Sequence, residues 1–123
     1  APPRLPWAEP VRWQGEAAIW VPTAAVGVRM DPTTGTGLRQ AVLAAGEVTL
    51  GVRAGGEQLR LYAGGPRRSL KNLLQEKGIP PWQRARVPLM WCDGRLVWAA
   101  GIGFEADLGA APGEAGILPC IEP

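Results

Sequence analysis

Apolar residues in this chain fall mostly in short runs broken by glycine and proline, a spacing that suits short strands. Glu16 to Val21 and Gly27 to Met30 are two such runs. Val48, Leu50 and Val52 alternate with Thr49 and Gly51, as a half-buried strand requires. Gly55-Gly56 suits a hairpin turn into Gln58 to Tyr62, where Leu59 and Leu61 alternate with Arg60 and Tyr62, so these two strands are expected to pair. The clearest hairpin joins Val87 to Trp91 with Arg95 to Ala100 through Asp93-Gly94, a dipeptide that accepts the positive φ angles of a type I′ turn. Gly101 to Phe104 is read as an extension of the second strand.

Helical spacing is best developed after Ser69. Ser69 is an N-cap type of residue, and Leu70, Leu73 and Leu74 then share one face, with Lys71 and Gln75 on the opposite, wet face. Gly78 is placed to end this helix, and Pro80 prevents its continuation. Pro81 suits the first position of a second short helix through Arg86. Ala41 to Ala45 fits either a helical turn or part of a loop. Turn formers fill Asp31 to Gly37, which reads as loop, and the Ala, Gly and Pro residues of Gly109 to Gly116 read as loop or tail. The expected organisation is a Pro-rich lead-in over residues 1–14, one domain over 15–108 and a loop or tail over 109–123. No internal repeat is evident.

The length, 123 residues with 46% hydrophobic content, fits one domain with a real core. Two cysteines, Cys92 and Cys120, and no histidine match no zinc or redox spacing. No apolar stretch approaches the roughly 20 residues of a membrane span, and the start has no signal-peptide core, so no membrane partner is expected and the chain reads as cytoplasmic. It does not begin with methionine and has four prolines in its first ten residues, which suggests a segment of a longer chain.

Net charge is only +2, but its distribution is uneven. Seven bases (Arg60, Arg67, Arg68, Lys71, Lys77, Arg84 and Arg86) lie between positions 60 and 86 against the single acid Glu76, leaving six bases and ten acids elsewhere. A basic centre with acidic flanks favours an anionic partner. Charge alone leaves a solvated face of locally paired arginines equally open.

Enzyme chemistry finds little support. With no histidine and with the acids scattered, no general acid and base can be paired, and Ser69 and Cys92 lack the partner a nucleophile needs. Gly55-Gly56 and Gly35-Thr36-Gly37 have no lysine and hydroxyl at phosphate-loop spacing. Gly64-Gly65-Pro66-Arg67-Arg68-Ser69 does lead into a helix start whose amides suit a phosphate, although such turns are also common structurally. Among the six tryptophans, Trp91 and Trp98 are expected in the core. Trp82, after Pro80-Pro81, is expected as a wedge between the helices, with an exposed stacking platform as the alternative.

The stretch Gly64 to Val97 contains Gly-Gly-Pro-Arg-Arg, then Leu-Lys-Asn-Leu-Leu-Gln-Glu, then Gly-Ile-Pro-Pro-Trp-Gln-Arg-Ala-Arg-Val-Pro-Leu. This resembles the C-terminal domain of the tRNA(Ile)-lysidine synthetase family, and Gly15 to Leu61 fits the preceding part of that family more loosely. Asn72 stands where a second lysine is usual and Ala85 where aspartate is common. The resemblance implies an α+β, strand-dominated fold, a β-sandwich-like core with one or two short helices, similar to a domain of the phenylalanyl-tRNA synthetase β subunit.

It further implies a parent ligase that uses ATP and magnesium to join lysine to C2 of the wobble cytidine in the CAU anticodon of tRNA(Ile). The family's Ser-Gly-Gly-x-Asp-Ser loop belongs to an N-terminal catalytic domain and has no match here, so no catalytic residue is expected in this chain. The implied role is contact with the tRNA acceptor stem, through Arg67, Arg68 and Lys71 at the helix start and Arg84 and Arg86 beyond it. A protein-docking module that positions the catalytic domain is the alternative.

Overall fold

The computed structural model describes residues 10–122. The lead-in residues 1–9 therefore lie outside the described residues. Three strands of the largest sheet carry the pattern seen in the sequence: β5 (Val48–Gly51), β8 (Leu89–Cys92) and β9 (Arg95–Ala99). They are joined at the edges by β1 (Val11–Trp13) and β10 (Gly103–Phe104) in the antiparallel order β1-β5-β8-β9-β10. A second antiparallel sheet runs in the order β2 (Ala18–Val21), β3 (Val26–Thr34), β11 (Ala115–Ile121) and β4 (Leu38–Arg39). A third pairs β6 (Gln58–Leu59) with β7 (Arg68–Ser69). Among the described residues, short α-helices complete the domain: α1 (Gln40–Ala45), α2 (Leu70–Glu76) and α3 (Pro81–Arg84).

Alternation along β8 explains the layering. Met90 and Cys92 join a core built with Val21, Val28, Met30 and Ile117 of the second sheet, whereas Leu89 and Trp91 join one built with Leu70, Leu73 and Leu74 of α2. The large sheet is thus covered on both faces, which is why its central strands read as nearly unbroken apolar runs. Trp98 is buried and Trp91 half-buried, as expected. The strand-dominated α+β class is observed, with its main core between two sheets.

The local signals hold where they are local. Asp93 and Gly94 both take positive φ, 51° and 80°, and turn β8 into β9. Ser69 caps α2 by accepting the Asn72 amide at 3.2 Å. At its other end Gly78, φ 74°, donates to Gln75 and Ile79 donates to Leu74, a Schellman closure that turns Ile79 toward the second core. Ala41–Ala45 is helical, within α1.

Several expectations fail on partners distant in sequence. Residues 48–51 do not form a hairpin with Gln58–Tyr62: β5 pairs with β1 and β8, and β6 pairs with β7 instead. Gly101–Phe104 does not extend β9 but turns back as β10, placing Phe104 opposite Trp98. Part of the expected lead-in, Val11–Trp13, is a paired edge strand.

Asp31–Gly37 is loop only from Gly35, because β3 continues to Thr34 despite Pro32. The Met30 amide reaches Ala17, so two residues on Pro32 points to the same side, beyond the start of β2, where its missing N–H costs no pairing. The supposed tail likewise contains β11, whose seven residues pair along β3 from Ala115 opposite Thr34 to Ile121 opposite Val28. Pro119 sits past the two residues that pair with β4, another position where a ladder donor is dispensable.

Candidate nucleic-acid interface

The basic centre folds into two populations of cations. Arg67 and Arg68, adjacent in sequence, take different carboxylate partners. Arg67 Nη1 donates to Glu105 at 2.8 Å, and Arg68 Nη2 donates to Glu76 on α2. That bond holds the Glu76 carboxyl below its ordinary pKa. Arg60 is engaged as well: its amide donates to Glu105 at 2.9 Å and its guanidinium reaches Asp107 at 3.5 Å. Arg95, outside the basic centre in sequence, completes the group at 3.2 Å from Glu105.

Glu105 is fully buried and Asp107 lies two residues on, in the 3-10 turn Ala106–Leu108. Both acids belong to the flanks that were set against the basic centre by sequence position. In space they sit inside it. Sequence reasoning missed Arg95, Glu105 and Asp107, and it counted Arg60 in the basic centre without naming it as a site residue. Their separation from Arg67 by tens of positions in most cases left no periodic signal to find them.

The second population is unpaired. Among the described residues, no carboxylate pairs with Lys71, Lys77, Arg84 or Arg86. Arg84 is half-buried and its Nε donates to the Ile79 carbonyl at 2.7 Å, tying α3 to the end of α2. Its terminal amines make no hydrogen bond to the described residues. Lys71, Lys77 and Arg86 are exposed. Trp82, expected as a wedge, is 74% exposed at the first turn of α3. Pro80 and Pro81 fix φ at the helix entry, and it is Ile79 before them, not Trp82, that packs on the core holding the α2 leucines.

The helix start itself is less open to a phosphate than the Gly-rich loop suggested. The Leu70 amide donates to Glu57 at 2.8 Å and the Asn72 amide to Ser69, so two of the first N–H groups of α2 are already used. Beside α2 lies a cleft of about 230 Å³ lined by Tyr62, Pro66, Arg68, Leu73, Glu76 and Lys77. A larger cleft, about 610 Å³, opens by α1 and β1 between Arg12, Trp13, Glu16, Met30, Leu43 and Ile117. It includes none of the cations of the basic centre.

A family model described as the TilS substrate C-terminal domain matches residues 48–120, from β5 through almost all of β11. The chain belongs to this family. As a TilS substrate C-terminal domain it is 44% identical over 112 residues to a tRNA(Ile)-lysidine synthase of Aromatoleum aromaticum, an alignment covering 89% of this chain and 26% of that protein. A protein of the same name from Azoarcus sp. is 43% identical, with 90% and 24% covered, and one from Nitrosomonas europaea is 35% identical, with 93% and 25% covered. The chain spans about a quarter of the length of these curated relatives.

All the cations of the basic centre lie inside the matched region. Among the described residues, no group of three or more Cys, Asp or Glu side chains is arranged to hold a metal ion, and no helix is long and apolar enough to cross a membrane.

Proposed function

We propose that this domain is the tRNA-binding C-terminal part of a cytoplasmic tRNA(Ile)-lysidine synthase and that it contacts the acceptor stem of tRNA(Ile). In this reading a separate N-terminal domain, with ATP and magnesium, ligates lysine to C2 of the wobble cytidine of the CAU anticodon. The observation that carries the reading is the stretch from Ser69 to Arg86. It presents Lys71, Lys77, Arg84 and Arg86 without carboxylate partners among the described residues, beside the exposed indole of Trp82. Its only acid, Glu76, is already bound by Arg68.

Cations of this kind take RNA through its phosphates and fix register more than sequence, while an exposed indole supplies a stacking face. Arg67 and Arg68, paired as they are, contribute mainly by shaping the loop before α2 and reach the backbone only by exchanging a carboxylate for a phosphate.

The test is a fluorescence titration of the chain against tRNA(Ile) and against a bare acceptor-stem hairpin over a range of salt. Saturable binding is expected, with each of Lys71→Ala and Arg86→Ala reducing the salt slope by about 0.7 to 0.9. Trp82→Ala is expected to weaken binding without changing that slope. Absence of binding at low salt would refute the reading and favour a surface that docks on protein.

A further inference from the structure

Three guanidinium groups converge on a single exposed carboxylate oxygen. Asp107 Oδ2 lies 3.5 Å from Arg60 Nη1, 3.9 Å from Arg67 Nη2 and 3.5 Å from Arg95 Nη2. The two acids of the cluster are held very differently. Glu105 is fully buried and accepts from the Arg60 amide and Arg67 Nη1 at ordinary hydrogen-bond distances, so it belongs to the framework. Asp107 is 41% exposed, stands on a one-turn 3-10 segment, and touches all three arginines only at long range. It is retained by the convergence of positive charge, with no short hydrogen bond of its own to these arginines.

Three arginines against two carboxylates leave the cluster with one net positive charge. The arginine side chains remain a third to nearly half exposed. Planar guanidinium forks gathered in this way suit an oxyanion that can accept short bonds from two of them at once.

We propose that Arg60, Arg67 and Arg95 form a phosphate site, held in shape by Glu105, and that Asp107 is a built-in competitor whose carboxylate occupies the place of a phosphate oxygen. A phosphate entering the site draws Arg60 and Arg95 away from Asp107, and the exposed carboxylate swings into water. Weak binding of isolated phosphate and tighter binding of a phosphate delivered within a larger polyanion follow from this competition. That the phosphate belongs to an RNA backbone rests on the proposed function; the site itself does not.

Two measurements on the 123-residue chain separate these statements. The first is thermal unfolding in rising inorganic phosphate at constant ionic strength, compared with chloride. Asp107→Asn, which removes the charge and keeps the shape, is expected to raise the apparent phosphate affinity about three- to tenfold. Adding Arg95→Gln to that variant is expected to abolish the gain. Unchanged or weakened phosphate binding in the folded Asp107→Asn protein overturns the site and makes Asp107 a structural ion-pair partner. Asp107→Ser also removes the charge, and the same two outcomes decide the matter with it should the asparagine variant fold poorly.

The second measurement is the tRNA titration. A parallel gain in tRNA affinity for Asp107→Asn identifies the ligand as RNA phosphate. A gain with inorganic phosphate but not with tRNA leaves the site standing and overturns its RNA assignment.

Discussion

Truncation of Glu105 should destabilise the domain more than loss of any surface charge pair, by an amount that follows from its partners. Glu105→Ala strands the Arg60 amide, which receives no other acceptor, at about 1–3 kcal/mol. It also removes the bonds to Arg67 and Arg95. Such charged bonds are worth about 1.5–3 kcal/mol when buried, but these arginines are a third to nearly half exposed and regain water, so together they add about 1 kcal/mol. With the space left by a fully buried side chain, the total is about 3–4 kcal/mol, within the usual range for stripping one partner from a buried charged group. Domains of this size have about 5–15 kcal/mol in all.

Glu105→Gln keeps an oxygen for the Arg60 amide but turns an NH2 toward arginine donors, and should cost about 2 kcal/mol. Urea unfolding followed by tryptophan fluorescence reads both. With a slope of about 2 kcal/mol/M, the midpoint should fall by about 1.5–2 M for alanine and about 1 M for glutamine. A loss below about 1 kcal/mol for alanine would refute the assignment of Glu105 to the framework. Equal losses for the two variants would show that the backbone bond contributes nothing.

Three further outcomes are expected. Ser69→Ala removes the only side-chain cap on α2 and should cost about 1 kcal/mol in the same unfolding assay. Gly94→Ala forces a side chain onto φ 80° in the β8–β9 turn and should cost about 1–2 kcal/mol, whereas Gly94→Asn should be better tolerated. The Arg68–Glu76 pair should be acid-sensitive. Because Arg68 lowers the Glu76 pKa, the pair's stabilisation is present above the ordinary glutamate range and is lost as pH falls through the depressed value. The melting difference between wild type and Glu76→Gln should therefore shrink toward acid pH, and a difference that grows on acidification would contradict the pairing.

What was legible in the sequence was what neighbours decide. Ser69, the three leucines and Gly78 specify α2 within ten residues, and Asp93-Gly94 specifies its hairpin within a handful. β5 shows the limit of that reading: its alternation was correct, but nothing local indicated that its partners would be β1 and β8 rather than the strand just after Gly55-Gly56. β11 shows it more sharply. Gly116 and Pro119 looked like tail because what admits them, strands close on both sides of Gly116 and on only one side of Pro119, exists only once β3 and β4 are in place.

The same limit governs the electrostatics, and there it changes the functional reading. Counting charges along the chain placed seven cations against one acid and left a patch for an anionic partner and a face of locally paired arginines equally open. Folding brings Glu105 and Asp107 onto Arg60 and Arg67, and sets Glu76 against Arg68, so three of the seven are engaged with carboxylates. The four without such partners, Lys71, Lys77, Arg84 and Arg86, follow one another along α2 and α3 with Trp82 among them. A phosphate meeting an unpaired lysine displaces only water and counterions, whereas one meeting Arg67 must also displace a carboxylate. On the proposed function, first contact with RNA would fall to the segment from Lys71 to Arg86, and the arginines around Asp107 would engage only when a phosphate can compete with that side chain. Mutating Lys71 or Arg86 should accordingly weaken binding, most at low salt. Mutating Asp107 should strengthen it, and opposite signs from two parts of one basic centre are an outcome that a uniform cationic patch cannot produce.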